Sequence, residues 1–322
     1  MNASTIHVCN GDADGLCAAV QWRLHAGPPT ALVTGMKRDI ELLERVDAAA
    51  GDEVDVFDVS MERNRAALLR LLQRGVRVRY FDHHRVAAIP SHRLLAAEID
   101  AASDVCTSLL VDRAVAARFR HWALVGAYGD NLAATADRVA RESGIEEAIR
   151  ARLRRIGVAL NYNAYGASPR EACIAPAALY DVLARYRDPL EMAARETLVD
   201  EIEALRQGDL ERAAACPVHR QNASAEVRVL PDAPWTRRVL GTFANELANA
   251  DPRRAHAVLG SDGGGYVASV RAPLAAPAGA HELCRRFGGG GRDRAAGIDA
   301  LPAHELDRFV EELASMRWGS AT

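Results

Sequence analysis

The chain has 322 residues, 49% of them hydrophobic and 26% charged, with a formal net charge of −3. This length predicts two domains of roughly 100–200 residues each, and the composition is typical of a soluble globular protein. The slightly negative charge argues against a generally basic nucleic-acid-binding protein, although it leaves room for a local basic groove.

The first third of the chain alternates short β-branched runs with helical patterns. Strands are predicted over residues 6–9, 30–34, 54–57, 76–81 and 94–99. Helices are predicted over residues 16–25 and 40–46, and around residues 67–72 with Gly75 as the stop. This order predicts an α/β domain with a mainly parallel sheet and helices on both faces.

The rest of the chain reads first as helices and then as strands. Helices are predicted over residues 105–117, 122–127, 139–158 and 189–215, of which 195–215 is expected to be a solvated helix bridging two domains. Strands are predicted over residues 226–230, 255–260 and 266–271, with a hairpin turn at 261–265. A helix over residues 281–287 leads into four consecutive glycines, which can approach a ligand closely and offer backbone N–H groups to phosphate.

Acidic and histidine residues occur at four points in the first half of the chain. The first three groups follow predicted strands directly, and the groups are Asn10 with Asp12 and Asp14, Asp58, Asp82 with His83 and His84, and Asp130. Ligands of parallel sheets bind beyond the carboxyl ends of the strands. Carboxylates and imidazoles packed closely there repel one another or take up protons unless a cation neutralises them. We therefore predict a divalent-metal site, with Mn²⁺ favoured and Mg²⁺ as the alternative.

Two members of this set also have a purely structural interpretation. Asp58 could cap the N-terminus of the following helix, and Asp130 could be a turn residue. Lys37 and Arg38, after the second strand, could add positive charge at the rim of a cleft, but solvated surface is the favoured interpretation.

The order Asp-x-Asp-Gly, Asp, Asp-His-His and Gly-Asp-Asn resembles the four motifs of the DHH phosphoesterases, and residues 287–297 resemble the glycine-rich motif of the associated DHHA1 domain. The resemblance implies a DHH domain over residues 1–194, a helical linker over 195–216 and a smaller α/β DHHA1 domain over 217–322. It also implies an active site in a cleft between the two domains.

The resemblance assigns a role to each candidate residue. It implies two Mn²⁺ ions that hold an attacking hydroxide, with Asp12 on the first ion, Asp14 on the second, and Asp58 bridging both. His83 and Asp130 would complete the second site, His84 would face the substrate, and Asp82 would orient an imidazole. The substrate would be bound by Arg271 and by the glycine-rich motif, namely Gly289, Gly290, Gly291 and Arg292.

Two positions depart from the family pattern. Asn10 stands where many members have His or Asp, and its neutral amide oxygen would be a weaker ligand of the first ion. Arg292 stands where the glycine-rich motif usually has His; arginine does not donate its proton near neutral pH but binds phosphate through two hydrogen bonds. An exposed arginine on a glycine turn is the alternative interpretation.

The favoured function is a metal-dependent phosphodiesterase acting on short nucleotides such as oligoribonucleotides or linear dinucleotides. Two alternatives stay open: a RecJ-like single-strand exonuclease, and a catalytically weak nucleotide-binding or regulatory protein. A pyrophosphatase is less favoured because the C-terminal motif is of the nucleotide-associated DHHA1 type.

The sequence also predicts the cellular setting. The N-terminus, residues 1–6, lacks the pattern of a secretory signal, and no apolar stretch approaches the ~20 residues that cross a bilayer. The six cysteines are scattered without a Cys-x-x-Cys pair, which is typical of reduced thiols. We expect a cytoplasmic protein without a membrane partner, either monomeric or homodimeric.

Overall fold

The computed structural model of the protein describes residues 3–319; Met1 and Asn2, which belong to the N-terminal segment considered above, and residues 320–322 lie outside the described part. The chain divides into two units, Met1–Ala204 and Leu205–Thr322. Within residues 3–319, no helix is both long enough and apolar enough to cross a membrane.

The N-terminal unit contains a five-stranded sheet in which all neighbouring strands are parallel, in the order β2-β1-β3-β4-β5. The strands are β1 (Thr5–Asn10), β2 (Ala31–Gly35), β3 (Glu53–Phe57), β4 (Arg77–Asp82) and β5 (Leu95–Ile99). The predicted parallel sheet is therefore confirmed. Because β2 and β3 lie on opposite sides of β1, the strand order reverses at β1, which is where sheets of this kind bind ligands.

The helices of the N-terminal unit are α1 (Ala13–Ala26), α2 (Arg65–Gln73), α3 (Thr107–Ala114), α4 (Arg120–Gly129), α5 (Ala133–Glu142), α6 (Glu147–Asn163), α7 (Pro176–Leu183) and α8 (Pro189–Arg195). A ninth helix, α9 (Leu198–Ala215), runs across the division between the units. Helix α1 packs against β1 and β3, and α2 packs against β4. The core beneath α2 is formed by branched aliphatic residues such as Val56 and Leu68, both fully buried.

Several helix predictions need correction. The predicted helix at residues 40–46 is only a 3-10 turn, Leu42–Arg45. The predicted helix at residues 139–158 is two helices, because Gly144 adopts φ +70° between α5 and α6. The predicted helix at 189–215 is also divided, at Glu196, into α8 and α9. Helix α9 is not solvated throughout, since Ile202 and Asp209 are fully buried.

The C-terminal unit contains a six-stranded sheet in the order β10-β11-β9-β8-β7-β6. Its strands are β6 (Val218–Gln221), β7 (Ala225–Leu230), β8 (Ala255–Asp262), β9 (Gly265–Arg271), β10 (Gly290–Arg292) and β11 (Ala295–Pro302). Its helices are α10 (Pro234–Ala250), α11 (Ala280–Arg285) and α12 (Leu306–Ser315). Only the pair β7–β8 is parallel among the described strand pairs of this sheet, and the connection between them contains α10, which was not predicted.

Candidate metal centre

The acidic groups after β3 and β4 meet because the register of the sheet aligns the ends of these strands. Phe57 of β3 pairs with Phe81 of β4, and Cys9 of β1 pairs with Phe57. The residues that follow therefore leave the sheet at the same edge. Asp58 and Asp82 are 3% and 0% exposed, so these carboxyl groups lie beneath the surface.

The turn between β1 and α1 presents Asp12 and Asp14 at this edge. Gly11 is required there, because a Cβ atom would lie 1.9 Å from the carbonyl oxygen of Gly35. Asp12 is the N-cap of α1, and its Oδ1 accepts a hydrogen bond of 3.1 Å from the Gly15 backbone N–H.

Asp14 points to the beginning of α3. Its carboxylate oxygens accept hydrogen bonds from the backbone N–H groups of Thr107 and Ser108, at 2.7 and 2.8 Å. A helix N-terminus stabilises negative charge, and it supplies these two donors to a side chain that is only 1% exposed. Sequence reasoning missed these two residues, because backbone donors leave no signature in side-chain identity.

Asp58 occupies a strained and electrostatically unfavourable position. Its φ of +57° is in the left-handed region, which costs energy for any residue other than glycine. Burial, followed by the negative charges of Asp12 and Asp14, holds the pKa of Asp58 well above its ordinary value. The N-cap interpretation is wrong, because α2 begins only at Arg65 with Asn64 as its N-cap residue. A bound cation would remove the repulsion that raises this pKa.

Asp82 holds both histidines in place. Its Oδ1 accepts hydrogen bonds from the backbone N–H groups of His83 and His84, at 2.9 and 3.2 Å, and lies 2.7 Å from His84 Nδ1. Because Nδ1 of His84 faces the Asp82 carboxylate, Nε2 is the ring nitrogen that can contact other groups. The His84 side chain is 45% exposed. Asp82 thus contacts the His84 imidazole, and the role of His84 in facing a substrate stays a prediction.

His83 turns its other ring nitrogen toward the acidic residues. Its Nδ1 lies 3.0 Å from the Val105 carbonyl oxygen and donates to it, while Nε2 lies 3.3 Å from Asp58 Oδ1 and 3.8 Å from Asp130 Oδ2. Burial lowers the pKa of His83, but the hydrogen bond to Asp58 and the surrounding carboxylates outweigh burial and raise it to about 10. Such an imidazole can release its proton when a cation arrives.

Asp130 follows α4 directly as its C-cap residue, so it reaches the group from a helix end, as predicted. Burial and the charge of Asp14 raise the pKa of Asp130 to about 6. Ligand atoms of Asp14, His83 and Asp130 lie within 4.8 Å of one another, and so do those of Asp58, His83 and His84. The two groups share His83 and together could surround one or more cations.

The part of the site around Asn10 and Asp12 differs from the metal-binding arrangement that the resemblance implied. Asn10 Oδ1 accepts a 3.1 Å hydrogen bond from the Asp12 backbone N–H, and Asn10 Nδ2 donates to the Lys37 carbonyl oxygen at 3.3 Å. The side chain of Lys37 enters the site, with its Nζ 2.5 Å from Asp12 Oδ2 and 3.2 Å from Asn161 Oδ1.

The interpretation of Lys37 as solvated surface is therefore wrong, because a buried carboxylate attracts its ammonium. Burial lowers the pKa of Lys37, but Asp12 outweighs burial and the pKa is raised. Conversely, burial raises the pKa of Asp12, but Lys37 and the Gly15 N–H bring it below its ordinary value. Lys37 follows β2, so the strand-end rule that found the acidic residues could also have found it.

In the C-terminal unit, the glycine-rich segment is a hairpin rather than a loop. Gly290 and Arg292 of β10 pair with Gly297 and Ala295 of β11. Gly289 and Gly291 fit only because they lack a side chain, since a Cβ atom would lie 2.2 Å from Gly297 O and 2.5 Å from Ala296 Cα, respectively. Arg292 is exposed.

Arg271 lies at the end of β9. Its guanidinium donates hydrogen bonds to Asn245 Oδ1 at 2.5 Å, to Ser269 Oγ at 2.9 Å and to the Gly241 carbonyl oxygen at 3.1 Å. These bonds attach β9 to α10, and the substrate-binding role of Arg271 stays a prediction.

A family model described as the DHHA1 domain matches residues 222–316. The C-terminal unit is therefore similar to a DHHA1 domain over these residues. Comparison with curated protein sequences gives no match, whereas comparison with solved structures covers nearly the whole chain.

A DHH-domain structure described as a member of a family of ribosomal proteins has 13% identity and a TM-score of 0.66, over 97% of this chain and 86% of that one. RecJ of Thermus thermophilus, solved with Mn²⁺, has 20% identity and a TM-score of 0.63, over 98% of this chain and 53% of that chain. A manganese-bound exonuclease RecJ has 20% identity and a TM-score of 0.59, over 98% of this chain and 92% of that one. This chain thus spans about half of the Thermus RecJ chain. The resemblance to the DHH superfamily is confirmed for the fold.

The residues at the sheet edge suit a divalent cation. Carboxylate oxygens and a neutral imidazole nitrogen are ligands of Mn²⁺, and carboxylates alone suit Mg²⁺. Burial, followed by the charges of neighbouring carboxylates, raises the pKa values of Asp58 and Asp130. Asp14, His83 and Asp130, which the resemblance assigned to the second ion, lie together as one compact group, and their role as ligands stays a prediction.

Proposed function

We propose that the protein is a divalent-metal-dependent phosphodiesterase of the DHH superfamily that hydrolyses short nucleotide substrates, such as oligoribonucleotides or linear dinucleotides. The observation that carries this proposal is the group Asp14, Asp58, His83 and Asp130 at the strand-order reversal of a parallel sheet, in which Asp14 and Asp58 are buried and His83 and Asp130 are partly buried. The DHHA1 domain, a type associated with nucleotide substrates, supports the choice of substrate class.

The ligands in this proposal are Asp14, His83 and Asp130, with Asp58 beside them. A divalent cation bound there would act as a Lewis acid toward a phosphoryl oxygen and make water acidic enough to supply a nucleophile near neutral pH. Asp58 Oδ1 accepts a 3.3 Å hydrogen bond from Thr107 Oγ1. This bond holds the Asp58 carboxyl group in position beside the other proposed ligands. Val105 fixes the tautomer of His83, so that its Nε2 faces the carboxylates.

His84 is the residue proposed to touch substrate. Burial lowers the pKa of His84, but the hydrogen bond to Asp82 and the nearby carboxylates outweigh burial and raise it. With Nδ1 bonded to Asp82, the Nε2–H can donate to a phosphoryl oxygen at the exposed side of the site. Arg292 and the backbone N–H groups of residues 289–291 are proposed to bind a second part of the nucleotide.

The test is a substrate panel with purified protein and Mn²⁺. We expect release of mononucleotides from a 5′-phosphorylated diribonucleotide, and loss of this activity on addition of a chelator. Preference for long single-stranded DNA would instead favour a RecJ-like exonuclease. No turnover of dinucleotides, cyclic dinucleotides, bis-phosphorylated nucleosides or pyrophosphate, together with measurable nucleotide binding, would favour the binding-protein alternative.

A further inference from the structure

A side chain of the protein already provides a positive charge at the Asn10–Asp12 corner of the metal centre. The Lys37 ammonium contacts Asp12 Oδ2 at 2.5 Å and Asn161 Oδ1 at 3.2 Å. Asp12 is 2% exposed and Asn161 is 8% exposed, so both acceptors are buried. Asn161 is itself oriented by a 3.0 Å hydrogen bond from its Nδ2 to Tyr165 Oη, and the Tyr165 ring centroid lies 5.8 Å from Lys37 Nζ. The Lys37 ammonium therefore lies in a polar pocket formed by Asp12, Asn161 and Tyr165.

The donor atoms at this corner are also occupied by hydrogen-bond donors. Asp12 accepts from Gly15 N–H with one oxygen and from Lys37 with the other. The side-chain oxygen of Asn10 accepts from the Asp12 N–H. Within residues 3–319, two groups of three potential metal ligands are found, and Asp12 belongs to neither group. The part of the centre that would hold a first ion is thus organised around an ammonium.

We propose that this centre binds a single divalent cation, on the side of Asp14, His83, Asp130 and Asp58, and that the Lys37 ammonium takes the place of the other ion. This inference rests on the metal site of the proposed function but does not require turnover. An ion coordinated by Asp12 would meet a like charge that shares the same carboxylate oxygen. Replacement of Lys37 alone would leave Asn10 as a weak neutral ligand, so both residues determine the number of ions.

Lys37 also gives the site a property that a second ion would not have. An ammonium has three N–H donors, and two of them are used by Asp12 and Asn161. The side chain is 34% exposed, so the third N–H can donate to a phosphoryl oxygen of the substrate. In this arrangement Lys37 would bind and orient the phosphate, and the chemistry of water activation would be supplied by a cation held by Asp14, His83 and Asp130.

The test counts ions in the absence of substrate. Metal-depleted full-length protein is titrated with Mn²⁺ by calorimetry, the bound metal is measured after gel filtration, and electron paramagnetic resonance of the bound Mn²⁺ distinguishes an isolated ion from a spin-coupled pair. We expect one Mn²⁺ per chain and the spectrum of an isolated ion for the natural protein. The double variant Asn10→His with Lys37→Ala is expected to bind a second Mn²⁺ and to give the spectrum of a coupled pair.

The matched control is Arg38→Ala, which removes the neighbouring exposed cation and should keep one Mn²⁺ per chain. Two tightly bound, coupled ions in the natural protein would overturn the proposal, and so would a single ion in a double variant that thermal unfolding shows to be folded. If the double variant does not fold, the count on the natural protein decides. Because the count does not involve catalysis, an inactive protein with one bound ion would refute the proposed function and leave this inference intact.

Discussion

The carboxyl edge of the five-stranded sheet and the glycine-rich hairpin of the DHHA1 domain hold their polar residues in opposite ways. Asp14, Asp58 and Asp82 are at most 3% exposed, and each accepts hydrogen bonds from fixed donors. Arg292 is exposed on a strand of three residues. Buried groups with fixed partners are preorganised for chemistry, whereas an exposed arginine can follow different ligands. Under the proposed function, the reaction would be fixed at the sheet edge, whereas substrate preference could be adjusted at the hairpin.

The largest expected effect is at Asp58. Asp58→Asn keeps the shape of the side chain and tolerates the positive φ, because Asn, like Asp, is enriched in the left-handed region. It removes a charge that would bind metal, so we expect kcat/KM for a 5′-phosphorylated diribonucleotide to fall by about 1,000-fold or more, which corresponds to a loss of several kcal/mol of transition-state stabilisation. The metal-free protein should not lose stability, since the substitution removes a buried charge that is repelled by Asp12 and Asp14.

Asp55→Asn is the matched control, because Asp55 is a buried aspartate of β3, the strand that Asp58 directly follows. It accepts hydrogen bonds from Trp22 Nε1 at 2.9 Å and from Arg79 Nη1 at 3.1 Å, away from the metal ligands. We expect this variant to retain activity and to lose stability. Full activity of Asp58→Asn would show that the buried edge is not the place of chemistry.

The next effect is the pH dependence of metal binding. The pKa of His83 is raised to about 10 and that of Asp130 to about 6, and both groups must release their protons to act as ligands. Mn²⁺ affinity should therefore rise with pH between about 6 and 8, by about tenfold per pH unit for each proton displaced. Calorimetry in buffers of different ionisation enthalpy measures the protons released. Affinity that does not change over this range would contradict the assignment of His83 as a ligand.

The same groups determine how the stability of the metal-free protein depends on pH. Because the pKa of Asp130 is about 6 in the folded protein against an ordinary 3.8, the folded state binds more protons than the unfolded state between these values. The free energy of unfolding should therefore fall as pH rises through this window. Saturating Mn²⁺ should reverse this trend, because it binds the ionised form of the folded state.

The sequence was sufficient to predict the five-stranded sheet and to propose most residues of the candidate metal centre. Short apolar runs gave all five strands of the first sheet, and the rule that ligands gather at carboxyl ends of parallel strands brought together Asp12, Asp58 and Asp82. Lys37 obeys the same rule, but a lysine after a strand usually lies in solvent, and only the buried Asp12 explains its position. Asn161 is in the last turn of α6 and gives no signal, since its role depends on tertiary packing.

Element boundaries were less predictable than elements. The apolar spacing continues through Ser143 and Glu196, and therefore two pairs of helices were predicted as single helices. Helix α10 carried a usable signal, since Val239, Leu240 and Phe243 are buried at helical spacing after Pro234. Because α10 was not predicted, the sequence analysis had no crossover connection between β7 and β8, which a parallel pair of strands needs.

The smallest expected effect is at Arg292. Arg292→Ala removes an exposed guanidinium from the hairpin, and water screens such a charge, so we expect less than about 1 kcal/mol of lost binding, or less than about a fivefold rise in KM. If Arg292 binds a part of the substrate distant from the reacting phosphate, ground state and transition state lose the same interaction, and kcat should not change. The measurement is steady-state kinetics on di-, tri- and tetranucleotides.

Arg220→Ala is the control, since Arg220 is an exposed arginine on β6, the opposite edge strand of the same sheet. It should change neither KM nor kcat. A fall in kcat for Arg292→Ala as large as that for Asp58→Asn would place Arg292 in the reaction itself. The hairpin would then share the chemistry, and the division of labour between the two regions would be wrong.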